Sequence, residues 1–305
     1  MACYKPLSGY RAKDGRLRPN TLKGTDHYLE VPCGYCIGCR IDRARDWKIR
    51  MYHESQMHEG NSFITLTYAD KYLPPNQSLE LAHFQKFMKR LRKNLGTRIR
   101  FFHAGEYGGE KGEPIGRPHY HAIIFGHDFT DDREPAMKGN QGHTFYRSPE
   151  LEKAWPFGFS TIGDVTPETC GYVAKYMFKK MVGDLAETHY ARIDQETGEM
   201  KPVTHEYATM SRMPGLGYSF FQKYWKDIYA IDACVIKGKE NPVPRYYDRL
   251  LERKDPELLA QVQEAREVDG NRPNVIANKT DQRLADRETF TKSKLDFFDS
   301  RNHLK

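Results

Sequence analysis

The sequence predicts an α+β fold, because segments with strand periodicity and segments with helix periodicity follow one another along the chain. Residues 63–68 are β-branched and aromatic, with apolar and threonine side chains in alternation, which favours a strand. Residues 80–95 carry apolar side chains at helical spacing and Lys or Arg on the other faces. Residues 119–126 are apolar on both faces after two histidines, which predicts a strand in the middle of a sheet.

The remaining elements are predicted from local signals in chain order. Residues 1–32 are rich in Gly, Pro, Lys and Arg and are expected to be irregular, and residues 37–57 are expected to form a helix. The helix over 80–95 should end at Gly96, and further strands are expected over 98–106 and 157–165. Thr166 and Pro167 predict the start of a helix that runs to Gly183. Beyond Pro256 we expect a charged helix and then a polar tail, 268–305, that need not fold tightly.

The chain of 305 residues is expected to divide into an N-terminal arm (1–57), a main domain (58–235) and a partly helical C-terminal extension (236–305) whose tail could be flexible. Its net charge is +7, and residues 1–50 hold 11 Lys or Arg against 5 Asp or Glu. This basic arm could bind phosphates or could simply be solvated. With a mean hydropathy of −0.79, no apolar run that could span a membrane and no signal-peptide core, the chain is expected in the cytoplasm.

His119 and His121 form a candidate metal site. Alternate residues of a strand share a face, so their Cα atoms should lie about 7 Å apart. Glu106, at the end of the neighbouring predicted strand, is the natural third ligand. Two imidazoles and a carboxylate would leave positions open for phosphate and water, and Mg²⁺ or Mn²⁺ would suit that task. Three further side chains remain open as rival ligands: His103, Glu110 and Glu113.

Tyr172 and Tyr176 lie four residues apart on the last predicted helix, so they should be neighbours on its surface. On a helical wheel they fall at about 200° and 240° from Cys170, away from the apolar stripe. Lys175 and Lys179 fall beside them, where an ammonium group favours a phenolate and can bind a phosphate. The plainer interpretation is a row of partly exposed aromatic residues.

Cys33, Cys36 and Cys39 form a C-x-x-C-x-x-C run that could bind structural Zn²⁺, with Cys3 or a nearby histidine as fourth ligand. An iron–sulfur cluster, or reduced cysteines without a metal, remain alternatives. Cys170 and Cys234 are expected to be core residues.

The order of these motifs resembles the HUH endonuclease superfamily, and more closely the rolling-circle replication initiators of small single-stranded DNA bacteriophages of the microvirus (gokushovirus-like) group. The resemblance covers most of residues 30–250. The motifs that carry it are residues 63–68, His119-Tyr120-His121, Tyr172-Val173-Ala174-Lys175-Tyr176 with Lys179-Lys180, the cysteine run within 31–40, and, less specifically, 210–217 and 244–247.

The resemblance implies an antiparallel sheet flanked by helices, similar to the RNA-recognition-motif or ferredoxin-like topology. It also implies a metal-dependent endonuclease and strand transferase. The metal held by His119, His121 and Glu106 would orient the scissile phosphate, and one tyrosine would attack it. A 5′-phosphotyrosyl intermediate and a free 3′-hydroxyl would result, and the second tyrosine would later help to release a closed circle.

The implied partners are the single-stranded replication origin, a host DNA polymerase and a host helicase. The helicase is inferred because the sequence contains no Gly-x-x-x-x-Gly-Lys-Ser/Thr run. Two alternatives remain: a plasmid initiator or relaxase with the same chemistry, and a non-catalytic module that binds single-stranded nucleic acid.

Overall fold

The fold was obtained as a computed structural model that describes residues 3–11, 17–18, 28–108, 116–139, 142–176, 189–193 and 197–303. The strands are β1 (Leu7–Arg11), β2 (Leu17–Arg18), β3 (Tyr28–Val31), β4 (Asn61–Tyr68), β5 (Arg100–Tyr107), β6 (Pro118–Phe125), β7 (Glu134–Lys138), β8 (Thr144–Arg147), β9 (Gly158–Gly163), β10 (Ala191–Ile193), β11 (Met200–Pro202), β12 (Tyr207–Met210), β13 (Ala233–Ile236) and β14 (Lys239–Pro242). The helices are α1 (Ile37–Ser55), α2 (Leu81–Leu95), α3 (Pro149–Ala154), α4 (Pro167–Tyr176), α5 (Tyr218–Ala230), α6 (Arg245–Lys254), α7 (Pro256–Gly270), α8 (Pro273–Ile276) and α9 (Asp281–His303).

Seven strands form the main sheet in the order β12–β5–β6–β4–β9–β8–β7, and every neighbouring pair is antiparallel. The predicted α+β class with an antiparallel sheet and flanking helices is therefore confirmed. The strand that carries the two histidines, β6, lies between β5 and β4. Its central position agrees with the apolar residues on both of its faces, because each face is covered by helices.

A separate hydrophobic core lies on each face of the main sheet. One core combines residues of β4 and β6, such as Ile64 and Ile124, with Phe84 and Phe87 of α2 and Trp155 after α3. The other core combines Phe102, Ile123 and Phe125 of β5 and β6 with residues of α1 and α4. The second face is the one that carries the histidines, so α4 is packed directly over the candidate metal site.

The predicted helices and strands agree with the observed ones to within a few residues at most ends. Helix α2 ends at Leu95, and Gly96 caps it in the left-handed conformation with a φ of 63°, as expected from its lack of a side chain. The helix start at Thr166 and Pro167 is also confirmed, whereas its predicted end at Gly183 lies outside the described residues.

The expectation of an irregular N-terminal segment is wrong, because β1 pairs with both β2 and β3 in a small antiparallel sheet. Strands this short are held by backbone hydrogen bonds and leave almost no side-chain periodicity for a sequence pattern to detect. The polar tail is likewise helical: α9 extends over 23 residues, from Asp281 to His303.

The chain forms two compact units, one of residues 1–43 and 250–305 and one of residues 44–249. The main sheet, α2 to α5 and the hairpin β13–β14 belong to the second unit. The small N-terminal sheet and α7 to α9 belong to the first. The functional boundaries near residues 57 and 235 stay predictions. Among the helices that the structure describes, none combines the length and apolar character needed to cross a lipid bilayer.

Candidate active site

Glu106, His119 and His121 converge on one face of the main sheet because they occupy neighbouring positions of β5 and β6. Glu106 is the direct register partner of His119, and His121 follows two residues later on the same face. The Glu106 Oε1 atom lies 2.6 Å from His119 Nε2 and 3.0 Å from His121 Nε2. The three side chains therefore form a group of donor atoms that could hold a metal ion.

The outer nitrogen of each imidazole has a partner that orients the ring. His119 Nδ1 lies 3.1 Å from the carbonyl oxygen of Arg117, which can only accept, so Nδ1 donates and Nε2 presents its lone pair to Glu106. His121 Nδ1 lies 3.0 Å from the hydroxyl oxygen of Thr65. A lone pair and a carboxylate at 2.6 Å repel one another unless a proton or a metal ion is shared between them. The arrangement of donors and supporting partners fits a divalent cation.

Electrostatics keeps the carboxylate of Glu106 charged. Burial alone would raise its pKa, but the hydrogen bonds and charges of His119 and His121 outweigh burial and hold the pKa far below its ordinary range. The side chain of Glu106 is 4% exposed and that of His121 is 7% exposed, whereas that of His119 is 19% exposed. The group is therefore most open to solvent on the side of His119.

Helix α4 begins with a reciprocal cap that fixes its direction over the sheet. The Thr166 hydroxyl accepts a hydrogen bond from the Thr169 amide at 3.2 Å, and the Thr169 hydroxyl accepts one from the Thr166 amide at 2.8 Å. Cys170, Val173 and Ala174 then pack into the core on the metal-site face. This packing turns the side of α4 that carries the two tyrosines toward the histidines.

Tyr172 and Tyr176 contact the candidate metal site directly. The Tyr176 ring is stacked on His121, with centroids 5.0 Å apart and an interplanar angle of 6°. The Tyr172 ring stands edge-on to both, 4.9 Å from Tyr176 and 5.4 Å from His121. The two hydroxyls are hydrogen-bonded to each other, and that of Tyr176 is also hydrogen-bonded to Glu106. Two phenols and three metal-binding side chains thus form one cluster.

The two tyrosines differ in exposure, which the helical wheel did not distinguish. Tyr172 is 45% exposed and Tyr176 is 4% exposed. Tyr176 is buried because its ring covers His121, although it lies off the apolar stripe of its own helix. Burial raises the pKa of both phenols, and that of Tyr176 lies far above its ordinary value. Neither tyrosine forms a phenolate readily in this environment.

The other predicted site residues fall in different places. Lys175 is exposed on α4 beside the tyrosines, and Lys179 lies outside the described residues. His103 points to the opposite face of the sheet, where it stacks on Phe84 at 3.4 Å and contacts Thr209. Its position separates it from the cluster around Glu106. The other two rivals, Glu110 and Glu113, also lie outside the described residues.

A groove of about 420 Å³ lies beside the metal-binding group, and the sequence analysis did not anticipate it. Thr67 pairs with His119 on one side and with Phe159 on the other, so all three share a face of the sheet. Phe159 is 67% exposed, although it stands on a strand inside the main sheet. The residues that line the groove are Thr67, Tyr68, Ala69, Asp70, Arg117 and Phe159.

The alternation of threonine and apolar residues in β4 was the available signal for these neighbours. Thr65 and Thr67 share a face with His121 and His119, and that relation follows from period two once the strands are paired. The exposure of Phe159 could not be read from the sequence, because a phenylalanine in a strand is normally assigned to a core.

Cys3, Cys33, Cys36 and Cys39 come together in the first compact unit, with sulfur atoms all within 4.8 Å of one another. Cys33 Sγ and Cys39 Sγ lie 3.9 Å apart, as do Cys3 Sγ and Cys36 Sγ. The expectation that Cys3 completes the set is met in this arrangement. Cys170 and Cys234 are buried, as expected of core residues.

Comparison with known proteins gives consistent matches along the chain. The family model for the replication-associated protein ORF2 matches residues 61–181. The chain is 31% identical to the replication-associated protein ORF2 of Spiroplasma virus 4, over 88% of this chain and 86% of that protein. It is also 31% identical to the replication-associated protein VP4 of Bdellovibrio phage phiMH2K, over 84% of this chain and 79% of that protein. A third relative, the replication-associated protein ORF4 of Chlamydia phage 1, is 31% identical over 73% of this chain and 54% of its own length. No solved structure gives a significant match.

Proposed function

We propose that this chain, which belongs to the family of microvirus replication-associated proteins, initiates rolling-circle replication by cutting one strand of origin DNA with a tyrosine hydroxyl. The observation that carries the proposal is the contact of Tyr172 and Tyr176 with the group formed by Glu106, His119 and His121. A nucleophile beside a group able to hold a divalent cation is the arrangement that tyrosine-dependent DNA cleavage requires.

Glu106, His119 and His121 would hold Mg²⁺ or Mn²⁺, and nitrogen ligands favour Mn²⁺ of the two. The bound cation would act as a Lewis acid toward a non-bridging oxygen of the scissile phosphate. Arg117, through its carbonyl oxygen, and Thr65, through its hydroxyl, would keep the two Nε2 atoms aimed at that position. The open side near His119 gives the phosphate access.

In the first cut, the hydroxyl oxygen of one tyrosine attacks the scissile phosphorus. A phosphorus–oxygen bond to the tyrosine forms, the bond to the 3′ oxygen breaks, and that oxygen takes up a proton. The products are a 5′-phosphotyrosyl enzyme and a free 3′-hydroxyl, which a host polymerase would extend with the help of a host helicase. After one circuit the second tyrosine cuts the regenerated origin, and the released 3′-hydroxyl attacks the first linkage and closes a circle. The covalent bond conserves the phosphodiester energy, so joining needs no ATP.

The raised pKa of both tyrosines means that the attacking phenol must be activated by positive charge brought close to it. The divalent cation would supply part of that charge. Lys175, which is exposed beside Tyr172 and Tyr176, and Lys179 would supply more and would bind the scissile phosphate.

The groove beside His119 is suited to hold the nucleotide next to the scissile phosphate. Phe159 stands two strands from His119 in the same cross-strand row, a separation of about 10 Å. Its exposed ring offers a flat surface on which a base can stack, and such stacking is independent of base identity. The guanidinium of Arg117, half exposed and paired with Asp70, lies on the wall of the same groove.

The proposal is tested by trapping the covalent intermediate. Purified protein is incubated with Mn²⁺ and single-stranded oligonucleotides tiled across the phage genome, and the products are separated on a denaturing gel. We expect a protein–DNA adduct with one region of the genome, absent with a chelator and absent from a Tyr172→Phe, Tyr176→Phe double variant. Tyr224→Phe, a tyrosine substitution in α5 outside the cluster, is the matched control and should form the adduct normally.

The outcomes separate the alternatives. Binding of the oligonucleotides without any adduct would identify a non-catalytic binding module and overturn the proposal. An adduct with plasmid transfer-origin DNA but not with phage DNA would identify a relaxase. An adduct that persists in the double variant would assign the attack to another residue.

A further inference from the structure

Besides the metal-binding group on the main sheet, the four clustered cysteines have the geometry of a second, structural site. In a tetrahedral zinc–thiolate site with Zn–S bonds of about 2.3 Å, the sulfur atoms are separated by about 3.8 Å. Two of the sulfur pairs, Cys33–Cys39 and Cys3–Cys36, are separated by 3.9 Å. The four thiols are free cysteines that surround a common centre.

The backbone around these cysteines donates hydrogen bonds to sulfur, which stabilises thiolates in metal sites. The Cys36 amide donates to Cys33 Sγ at 3.3 Å, the Cys33 amide to Cys3 Sγ at 3.3 Å, and the Tyr4 amide to Cys36 Sγ at 3.4 Å. The turn between Cys33 and Cys36 depends on Gly34, whose φ of +84° is costly for any residue with a side chain. A buried cluster of four thiols without a cation would gain little from such donors.

The first cysteine is close in sequence to the residues that hold the C-terminal helix. The Tyr4 hydroxyl lies 2.8 Å from Thr291 Oγ1 of α9, and the Arg287 guanidinium lies 5.9 Å from the Tyr4 ring. The next residue, Lys5, has its Nζ atom 3.8 Å from the carboxylate of Glu288. Residues 3–5 are therefore attached to the cysteine cluster on one side and to α9 on the other.

We propose that Cys3, Cys33, Cys36 and Cys39 bind one Zn²⁺, and that this ion holds the segment around Tyr4 in the position from which it contacts α9. Zinc is favoured over hard cations such as Mg²⁺ by the four sulfur ligands, and the closed set of four protein ligands indicates a structural role. The proposed site is independent of the nicking chemistry, so either can fail without the other.

The assignment is tested on the full-length protein by elemental analysis after dialysis against a weak chelator. We expect stoichiometric zinc that is lost in Cys36→Ser and retained in Cys234→Ser, a control that removes a buried cysteine elsewhere. Because Cys36→Ser could impair folding, a second measurement uses the unaltered protein. A mercurial reagent that blocks thiols should release zinc, detected with a chromogenic chelator, in proportion to the cysteines modified. Iron with visible cluster absorption, or no bound metal, would overturn the zinc assignment.

The link to α9 is tested by hydrogen exchange before and after zinc removal. Amides of α9 around Thr291 should exchange faster in the zinc-free protein, while those of β6 in the other compact unit should not change. Unchanged exchange in α9 would contradict the structural link, even if zinc is present.

Discussion

The hydroxyl of Tyr176 is hydrogen-bonded to Glu106, the carboxylate that also contacts the Nε2 atoms of both histidines. The proposed nucleophile and the proposed metal ligand are therefore direct neighbours. When a cation occupies the position between Glu106 and the histidines, this hydrogen bond must lengthen or break, because the oxygen lone pair is used for coordination. Metal binding would thus free a tyrosine hydroxyl at the place where the phosphate arrives.

Replacing Thr65 by valine should weaken Mn²⁺ binding by about 10- to 100-fold, the usual effect of losing a partner that orients a metal-binding histidine. The Thr65 hydroxyl contacts His121 Nδ1 at 3.0 Å and is expected to fix the orientation of that ring. Isothermal titration with Mn²⁺ measures the change. Thr67→Val is the control, since the Thr67 hydroxyl on the same face of β4 donates to the carbonyl oxygen of Phe159 instead. Equal affinities for the two variants would contradict the role given to Thr65.

Single replacements of the two tyrosines should separate cleavage from circle closure. Tyr172→Phe and Tyr176→Phe each leave one phenol at the site, so each should retain part of the covalent adduct. Neither should release closed circles, because a full round needs both hydroxyls. Adduct yield on denaturing gels and circular product from a two-origin substrate are the measurements. Complete rounds by either single variant would show that one tyrosine is enough.

Phe159→Ala should weaken binding of single-stranded DNA by about 5- to 150-fold, corresponding to the loss of about 1–3 kcal/mol from one stacked base. Fluorescence anisotropy with a labelled oligonucleotide measures the affinity, and Phe159→Trp should restore it. Phe290→Ala removes a phenylalanine that is 70% exposed on α9, against 67% for Phe159, and should leave binding unchanged. If Phe159→Ala binds as tightly as the unaltered protein, no base stacks on this ring.

Acid should destabilise the fold partly through His53, whose pKa burial lowers to about 4. The unfolded chain binds this proton near pH 6.5, so the unfolded state carries more protons between pH 6.5 and 4. The free energy of unfolding therefore falls as the pH drops through this window, by about 3 kcal/mol from this residue.

Urea unfolding of the unaltered protein and of His53→Phe at pH 7 and pH 4.5 tests this expectation. The variant should lose less stability on acidification, because it has no imidazole to protonate between Phe220 and Tyr247. Burial also lowers the pKa of His103, but His103 is present in both proteins and cancels in the comparison. The same loss in both proteins would remove His53 as a cause.

Much of the site's location could be predicted because its residues obey simple periods. His119 and His121 share a face by the period of a strand, and the position of Glu106 at the end of the neighbouring strand places it opposite His119. The burial of Tyr176 could not be predicted, since a helical wheel records only the apolar stripe of one helix and not an imidazole supplied by β6. Strands β7 and β8 were also missed, because they are short and all their residues are partly or fully exposed, so no apolar pattern marks them.

Glu106 stands on β5 and the two histidines on β6, and each of these strands has a hydrogen-bonded neighbour on both sides. The margins of the sheet, β7 and β12, can accumulate substitutions without moving the residues that would react with the phosphate. Related viruses could in this way acquire different origins of replication while inheriting the same reaction centre.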